Sequence, residues 1–328
     1  MIYFHHHTNG NSNGSYGTPR PSTSTGENSN ASSSFEHHDT FAGLDASSDQ
    51  PQELNGEVYR TFPNRQGYDP NFLGASIPLP TLDDSIKNEA APLFNDPSKI
   101  ELKYTHFSVV QDKDRRQPLL TAVNLDGTQT KDLARKGTWS LDARIDRQYQ
   151  LGNEAYANND IDKGHQVRRR DPQWGPEADK AGGDTFVYTN VGLQHADLNQ
   201  RTWLDLEDHV LHNAVNHNQK VTVFTGPVLR SDDPKFDNAG AIKNPTQMPL
   251  EFWKMEVWNE PGKGIEGEAF VESQKSYWDK PKTKEPYDHL NEGQLQACRV
   301  PIAQLEQMTH IHFGAIKDAS DAEITNAK

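Results

Sequence analysis

Between Asp160 and Glu207 the chain carries three polar stretches: Asp162-Lys-Gly-His165, Thr189-Asn-Val-Gly-Leu-Gln194 and Asp197-Leu-Asn-Gln-Arg-Thr-Trp-Leu-Asp-Leu-Glu207. The third stretch predicts a helix from Leu198 to Asn216, because its apolar residues recur at helical spacing, and Asp197 is the expected N-cap. Apolar runs typical of short strands surround this helix: Tyr104–Val110, Leu119–Asn124, Thr185–Thr189, Val221–Pro227, Leu250–Trp258 and Glu268–Ser273. One helix among strands, without regular β-α-β alternation, predicts an α+β fold.

The N-terminal part of the chain has a different composition. Of the 328 residues, 33% are hydrophobic, and the mean hydropathy is −0.89, which is low for a wholly packed globule. Residues 1–34 contain 21 Ser, Thr, Asn or Gly, and no lysine precedes Lys87. Such a segment cannot bury enough apolar surface to offset its chain entropy. We therefore predict a disordered low-complexity tail over 1–66 and a folded domain over 67–328, which begins with an ordered arm near Tyr68.

Charge and composition exclude several classes of protein. Lys plus Arg 33 against Asp plus Glu 47 gives 33 − 47 = −14, a net charge that repels polyanions and argues against a high-affinity structural DNA binder. Screening over about 8–10 Å still allows one locally basic cleft to bind phosphate. No apolar run is long enough to cross a membrane, and no signal peptide is visible. The single cysteine, Cys298, excludes an intrachain disulfide.

The residues of the three stretches suit hydrolysis of a phosphodiester. A neutral histidine such as His165 can take a proton from the attacking water. Charge that develops on phosphate and leaving oxygens suits Mg²⁺, a hard cation that keeps most of its water and needs few protein ligands. The amide oxygen of Asn199 is one candidate ligand, and helical spacing places Glu207 near the same face. Asn199 as a plain helix cap is the competing interpretation.

In this order, the three stretches resemble the signature of the DNA/RNA non-specific endonucleases, the ββα-metal (His-Me finger) nucleases that include endonuclease G. The resemblance extends from Tyr68 to about Phe313 and includes four outer stretches: Tyr104-Thr-His-Phe-Ser-Val-Val110, Thr121-Ala-Val-Asn-Leu-Asp-Gly127, Phe224-Thr-Gly-Pro-Val228 and Pro249-Leu-Glu-Phe-Trp-Lys254. It implies that a ββα-metal core lies on a larger antiparallel sheet and that 67–328 is the catalytic domain.

The resemblance also implies roles for matching residues. His165 matches the general base, Asn199 the sole direct protein ligand of Mg²⁺, and Glu207 the carboxylate that holds metal-bound water. Substrate binding is expected of a further set: Lys163, Arg168, Asn190, Gln194 and Arg135. Arg144 and Arg147 stay open as alternatives to Arg135 for the upstream phosphate-binding arginine. Two positions depart from the family pattern, because Lys163 and Leu211 stand where the family has arginine. Lysine keeps the charge but loses the planar fork that binds phosphate through two hydrogen bonds.

The implied activity is metal-dependent hydrolysis of DNA and RNA, without sequence preference, to 5′-phosphate ends. Whether Mn²⁺ replaces Mg²⁺ stays open. Two alternatives also stay open: a nucleic-acid-binding module that no longer cleaves, and a nuclease effector held by an immunity partner. The expected partners are DNA and RNA substrates, a second copy of the chain and an inhibitor protein, but no membrane. Because an unrestricted nuclease endangers its own genome, we expect export or sequestration. His209 and His212 are expected to face solvent.

Overall fold

The protein is described by a computed structural model over residues 43–319. Its strands are β1 (Gln52–Leu54), β2 (Glu57–Arg60), β3 (Thr81–Leu82), β4 (Glu101–Lys103), β5 (Phe107–Gln111), β6 (Pro118–Asp126), β7 (Leu141–Asp142), β8 (Ile161–His165), β9 (Val191–His195), β10 (Lys220–Val228), β11 (Lys235–Phe236), β12 (Thr246–Gln247), β13 (Glu251–Glu260), β14 (Gly264–Ser273), β15 (Arg299–Val300), β16 (Ile311–His312) and β17 (Lys317–Asp318). Its α-helices are α1 (Ala178–Asp184), α2 (Trp203–Asn216), α3 (Glu292–Gln296) and α4 (Ile302–Thr309).

The centre of the molecule is an eight-stranded sheet in the order β15-β14-β13-β10-β6-β5-β4, with β17 added beside β14. All pairs along this order are antiparallel, and only β17 runs parallel to its neighbour. Side chains of β6 and β10 alternate between the two faces, as the pleat requires. The predicted α+β fold with a larger antiparallel sheet is confirmed.

Two apolar layers cover the central sheet. On one face α2 buries Trp203, Leu206 and Val210 against Val123 and Val223. On the other face lie the arm that begins near Tyr68 and helix α4. The arm and α4 pack there against alternate residues of β6, β10 and β13: Leu120, Ala122, Phe224, Trp253 and Met255. The sheet is therefore covered on both sides, and nearly every residue of its central strands β6 and β10 is buried.

A short hairpin and α2 form the ββα unit that the sequence predicts. Strands β8 and β9 pair antiparallel from Ile161↔His195 to His165↔Val191. The chain then enters α2 through a π-helical turn, Leu198–Thr202, rather than through an ordinary α turn. Because a π turn rotates the chain less per residue than an α turn, it brings Asn199 closer to the line of Glu207 along the helix.

Several predicted elements differ from the structure. Thr185–Thr189 is not a strand, because Thr185 ends α1 and Tyr188–Asn190 forms a 3-10 turn. Asp197 precedes the helix but makes no capping hydrogen bond from its side chain, since this carboxylate accepts the backbone N–H of Thr283 and pairs with Arg201. Within residues 43–319, no helix is both long and apolar enough to span a bilayer.

The boundary of the tail also differs. Residues 43–66, which the composition assigns to the disordered tail, contain the hairpin β1–β2, and β2 pairs in parallel with β7. Arg60 and Arg65 both form ion pairs with buried Asp184, at 3.0 and 2.7 Å. These anchors are isolated charged residues, which a count of Ser, Asn and Gly does not detect. Residues 1–42 lie outside the described part of the chain.

Candidate active site

The hairpin β8–β9 holds His165 at its end, and close packing of the two strands depends on a glycine. Gly164 lies opposite Gly192, beside the pair Asp162↔Gln194. A Cβ atom at Gly164 would lie 2.0 Å from the Gln194 Oε1 atom, so the glutamine side chain lies across this glycine. A larger residue at 164 would have to displace the side chain of Gln194. The glycine before the histidine thus has a packing reason.

Asn190 and Gln194 lie in the interior of the hairpin region. Both side chains are 0% exposed. Asn190 Oδ1 accepts the backbone N–H of Val167 at 2.9 Å, and its Nδ2 donates to the carbonyl oxygens of Val167 and Thr185. Asn190 therefore holds the backbone just after His165, while Gln194 packs on Gly164. The substrate-binding role expected for these two residues stays a prediction, and the contacts described here are to the backbone near His165 and to Gly164.

Asn199 is oriented by a carboxylate from the hairpin. Its Nδ2 atom donates to Asp162 Oδ2 at 2.9 Å, and the same oxygen accepts from Gln200 Nε2 at 2.7 Å. A carboxylate only accepts hydrogen bonds when ionised, so the amide nitrogen must face Asp162 and Oδ1 is left for another partner. Asp162 thereby connects the strand that carries His165 to the turn that carries Asn199.

A cavity of about 300 Å³ brings most of the predicted site residues together. His165, Asn199 and Glu207 all line it. The remaining lining residues are mostly cationic: Arg135, Lys163, Arg168, Arg169, Arg170, Gln200 and Leu204. An imidazole from the hairpin and an amide from the helical turn therefore share one enclosure. Its five cations form a local basic cleft in a chain whose net charge is −14.

His165 sits in an aromatic and cationic surrounding. Trp139 lies 5.2 Å from its ring, and Phe186 contacts it edge-on at 5.4 Å. Its Nε2 atom is buried and has no hydrogen-bond partner among residues 43–319. Burial first, and then the positive charges of Arg135 and Arg169, lower the pKa of His165 to about 3. The imidazole is therefore neutral at pH 7, and an anionic phosphate between it and the arginines would raise its basicity.

The lowered pKa of His165 predicts a change of stability with pH. Below the ordinary value of 6.5 the unfolded chain takes up a proton at His165, whereas the folded chain does so only near pH 3. As the pH falls from 6.5 toward 3, the free energy of unfolding of the parent protein therefore decreases, by at most about 1.4 kcal/mol per pH unit. We expect His165→Asn to become more stable relative to the parent protein between pH 8 and pH 5. Thermal unfolding in metal-free, phosphate-free buffer measures this, and a difference in Tm that stays constant would contradict it.

Glu207 lies on α2 beside Arg168. Its Oε2 atom is 3.7 Å from Arg168 Nε, whereas Oε1 is buried without a hydrogen-bond partner in the described chain. Burial raises the pKa of Glu207 to about 7, and the charges of Lys254 and Arg168 oppose this rise. Arg168 also pairs with Asp208 at 2.5 Å. Two acidic residues thus hold Arg168 in place at the cavity, where its role toward substrate stays a prediction.

Lys163 and Arg135 both line the cavity. Lys163 donates to Asn153 Oδ1 at 3.1 Å and lies 5.2 Å above the ring of Tyr156. Arg135 is exposed and lies 5.2 Å from the ring of Phe186, on the ring that also contacts His165. An aromatic ring thus stabilises each cation by a cation–π interaction, and both cations are available to bind an anion.

Other residues of the site were missed in the sequence. Trp139 and Phe186 lie in loops outside the quoted stretches, so no spacing connects them with His165. Asp162 belongs to a quoted stretch, but its task depends on a contact across 37 positions of the chain. Lys254 ends the quoted stretch Pro249–Lys254 and is 1% exposed beneath the cavity. A lysine in a strand that otherwise reads as buried is the one signal that could have revealed it.

A second group of ionisable side chains lies on the sheet side of α2. His209, Glu256 and Glu268 bring donor atoms within 4.8 Å of one another. His209 is largely buried, contrary to the expectation that it faces solvent, whereas His212 is exposed. Glu268 pairs with Arg299 at 3.2 Å, and His209 lies 3.3 Å from Glu292. Neighbouring charged side chains thus balance the charges of this group, and none of its three residues lines the cavity.

Comparisons with known proteins agree with this architecture. The profile of one family, DNA/RNA non-specific endonuclease, matches residues 89–320. The uncharacterized protein y4fB of Sinorhizobium fredii is 33% identical over 267 residues, which are 77% of this chain and 39% of that protein. Mitochondrial endonuclease G of Homo sapiens is 28% identical over 135 residues, 40% of this chain and 44% of that enzyme. The chain thus spans about two-fifths of the length of these relatives.

A solved structure shares the fold. A chain in the crystal structure of the EndoG/EndoGI complex, described as showing the mechanism of EndoG inhibition, superposes with a TM-score of 0.51 at 18% identity. The match covers 65% of this chain and 84% of that chain. At this identity the likeness concerns the fold, and it agrees with the ββα unit and the large sheet described above.

Proposed function

Because the chain belongs to the DNA/RNA non-specific endonuclease family, we propose that it is a metal-dependent endonuclease that hydrolyses phosphodiester bonds of DNA and RNA. The observation that carries this proposal is the shared cavity: His165 from β8 and Asn199 from the π turn line one basic enclosure with Glu207. Contacts to phosphate rather than to base edges would make cleavage largely independent of sequence, because the backbone carries no direct sequence information.

The side chains of the cavity fit a hard divalent cation such as Mg²⁺. Asn199 presents Oδ1, since its nitrogen donates to Asp162, and Glu207 keeps Oε1 free of hydrogen-bond partners in the described chain. Amide and carboxylate oxygens are the ligands that Mg²⁺ takes in proteins, usually with several waters. Asn199 would hold the cation directly and Glu207 through water. The bound cation would supply charge stabilisation for the phosphate and the leaving oxygen.

The chain's own residues then account for the other requirements of hydrolysis. His165, which is neutral at pH 7, takes a proton from the attacking water as the oxygen of that water bonds to phosphorus. Arg135, Arg168 and Lys163 bind and orient the phosphate. Cleavage of the bond to the 3′ oxygen, which then gains a proton, leaves 5′-phosphate and 3′-hydroxyl ends. Phe186 and Trp139 exclude water from one side of the imidazole.

Incubation of the purified chain with supercoiled plasmid tests the proposal. We expect Mg²⁺ to produce nicked, linear and then short DNA, and we expect a chelator to abolish this loss because the cavity residues alone cannot neutralise the developing charge. Restored cleavage after excess Mg²⁺ is the control for chelator damage. The same protein with structured RNA tests the second substrate. Plasmid that is bound and shifted in a gel, but stays supercoiled at all Mg²⁺ concentrations, would favour the alternative of an inert nucleic-acid-binding module.

An inhibitor protein that covers the cavity is a further proposal. It is supported by the EndoG/EndoGI complex only through the shared fold, and the exposed Arg135 at the edge of the cavity offers charge to an acidic partner. An inhibitor protein that binds this chain should abolish plasmid cleavage at equimolar concentration, and Arg135→Glu should weaken that inhibition. Full cleavage in the presence of every tightly bound partner would argue against it.

A further inference from the structure

The side chain of Lys254 is buried directly beneath the cavity. It lies in the middle of β13, on the sheet face covered by α2, and is 1% exposed. A lysine is almost never fully buried unless it is paired, because removing an ammonium group from water costs far more than burying an alkyl chain. The position therefore retains a charge at a cost to stability, which points to a purpose beyond packing.

Lys254 contacts three parts of the site whose relative positions matter for the reaction. Its Nζ atom donates to Thr225 Oγ1 on β10 at 3.0 Å and to the carbonyl oxygen of Gln166 at 3.5 Å. Gln166 is the residue that follows His165. The same Nζ atom lies 5.0 Å above the ring of Trp203, the first residue of α2. One ammonium group thus contacts the segment that follows His165, the start of α2 and the central sheet.

Acidic side chains surround this ammonium group. Glu207 on α2, Asp171 in the loop after the base and Glu272 on β14 are all buried, and the positive charge of Lys254 opposes the rise of their pKa values. Glu272 and Asp171 each have carboxylate oxygens without a hydrogen-bond partner in the described chain. Without a cation these carboxylates would repel one another in a medium of low dielectric constant. Lys254 and Arg168 are the cations placed among them.

We propose that Lys254 is a positioning residue, which fixes the loop of His165 and the carboxylate of Glu207 relative to each other from beneath the cavity. The inference rests on the proposed function for its effect on cleavage, and it concerns a residue that touches neither substrate nor metal. Because reacting groups lose rate steeply with small displacements, its removal acts on turnover rather than on binding of nucleic acid.

A double-mutant cycle tests this proposal. Lys254→Met keeps the length of the side chain but removes its charge and both hydrogen bonds. We expect it to lower kcat about 10- to 100-fold with KM for DNA within about twofold. In a Glu207→Gln background the same change should lower kcat by less than about threefold, because the partner carboxylate is already lost. An equal fold-change in both backgrounds would indicate a purely structural role and overturn the proposal.

Two further measurements make the cycle decisive. Thr225→Val removes the neutral partner on the sheet and leaves the charge, so it should change kcat by less than about threefold. A loss equal to that of Lys254→Met would overturn the proposal.

Thermal unfolding of the four cycle proteins needs no activity: the double variant should lose less in Tm than the sum of the two single losses. Additive losses would overturn the coupling. A parent protein that does not cleave would refute the proposed function, while the unfolding cycle would still decide the interaction of Lys254 with Glu207.

Discussion

His165→Ala is expected to abolish plasmid cleavage, with kcat lowered by about 10³-fold or more. General-base catalysis contributes about 10²–10⁴-fold, and His165 is the single histidine that lines the cavity among residues 43–319. The fold should persist, because the imidazole has no hydrogen-bond partner at Nε2 whose loss would leave another buried group unpaired. Loss of supercoiled plasmid over time, with circular dichroism of the same samples, measures both expectations.

His212→Ala is the matched control for this change. His212 lies on α2 but is exposed and does not line the cavity, so its removal should leave turnover unchanged. If His165→Ala keeps near-normal turnover while folded, the imidazole has no part in the mechanism. If both variants lose activity alike, the loss in His165→Ala cannot be assigned to the missing base.

Asn199→Ala is expected to lower kcat by about 10²-fold or more and to weaken Mg²⁺ binding. The variant removes the oxygen that Asp162 leaves free by binding the amide nitrogen of Asn199. The neighbouring Gln200 donates to the same Asp162 oxygen, but its own amide oxygen already accepts a hydrogen bond from Lys282. Loss of one group that stabilises developing charge typically costs about 10²–10³-fold in kcat. Calorimetric titration with Mg²⁺ should show the weaker binding without any turnover.

Gln200→Ala is the control for Asn199. Gln200 is the next residue and donates to the same Asp162 oxygen, at 2.7 Å, but it is exposed. We expect less than about a fivefold change in kcat and unchanged Mg²⁺ binding. Equal loss of Mg²⁺ binding in both variants would show that the turn as a whole, and not the Asn199 oxygen, holds the cation. Unchanged binding in Asn199→Ala would remove this residue from the metal site.

The sequence predicted those parts of the fold that depend on local pattern. Helix α2 was predicted because Trp203, Leu206 and Val210 repeat at helical spacing and meet one apolar layer. The strands β6, β10 and β13 were predicted because short segments rich in apolar, β-branched and aromatic residues alternate there with turns. The π turn could not be predicted, since its geometry depends on Asp162 and on backbone oxygens near Thr283 that Arg201 binds.

The site was predicted where residue type and order suffice, and not where burial decides. His165, Asn199 and Glu207 were chosen for their chemistry, and they share the cavity. The resemblance implied that Asn190 and Gln194 bind substrate, but a motif does not show whether a polar side chain instead serves buried backbone groups, as that of Asn190 does. Lys254 was overlooked for the converse reason: its charge suggests the surface, whereas the structure buries it.

The number of residues in the π turn Leu198–Thr202 affects the geometry of the site. A turn shortened by one residue would keep every reactive side chain and still change the direction of Asn199 relative to Glu207, because the number of residues and the rotation per residue set that angle. Insertion or deletion of a single residue in this turn would therefore change the direction of the Asn199 side chain without changing which reactive residues are present. Among relatives, the length of this segment should vary less than the identity of its exposed residues.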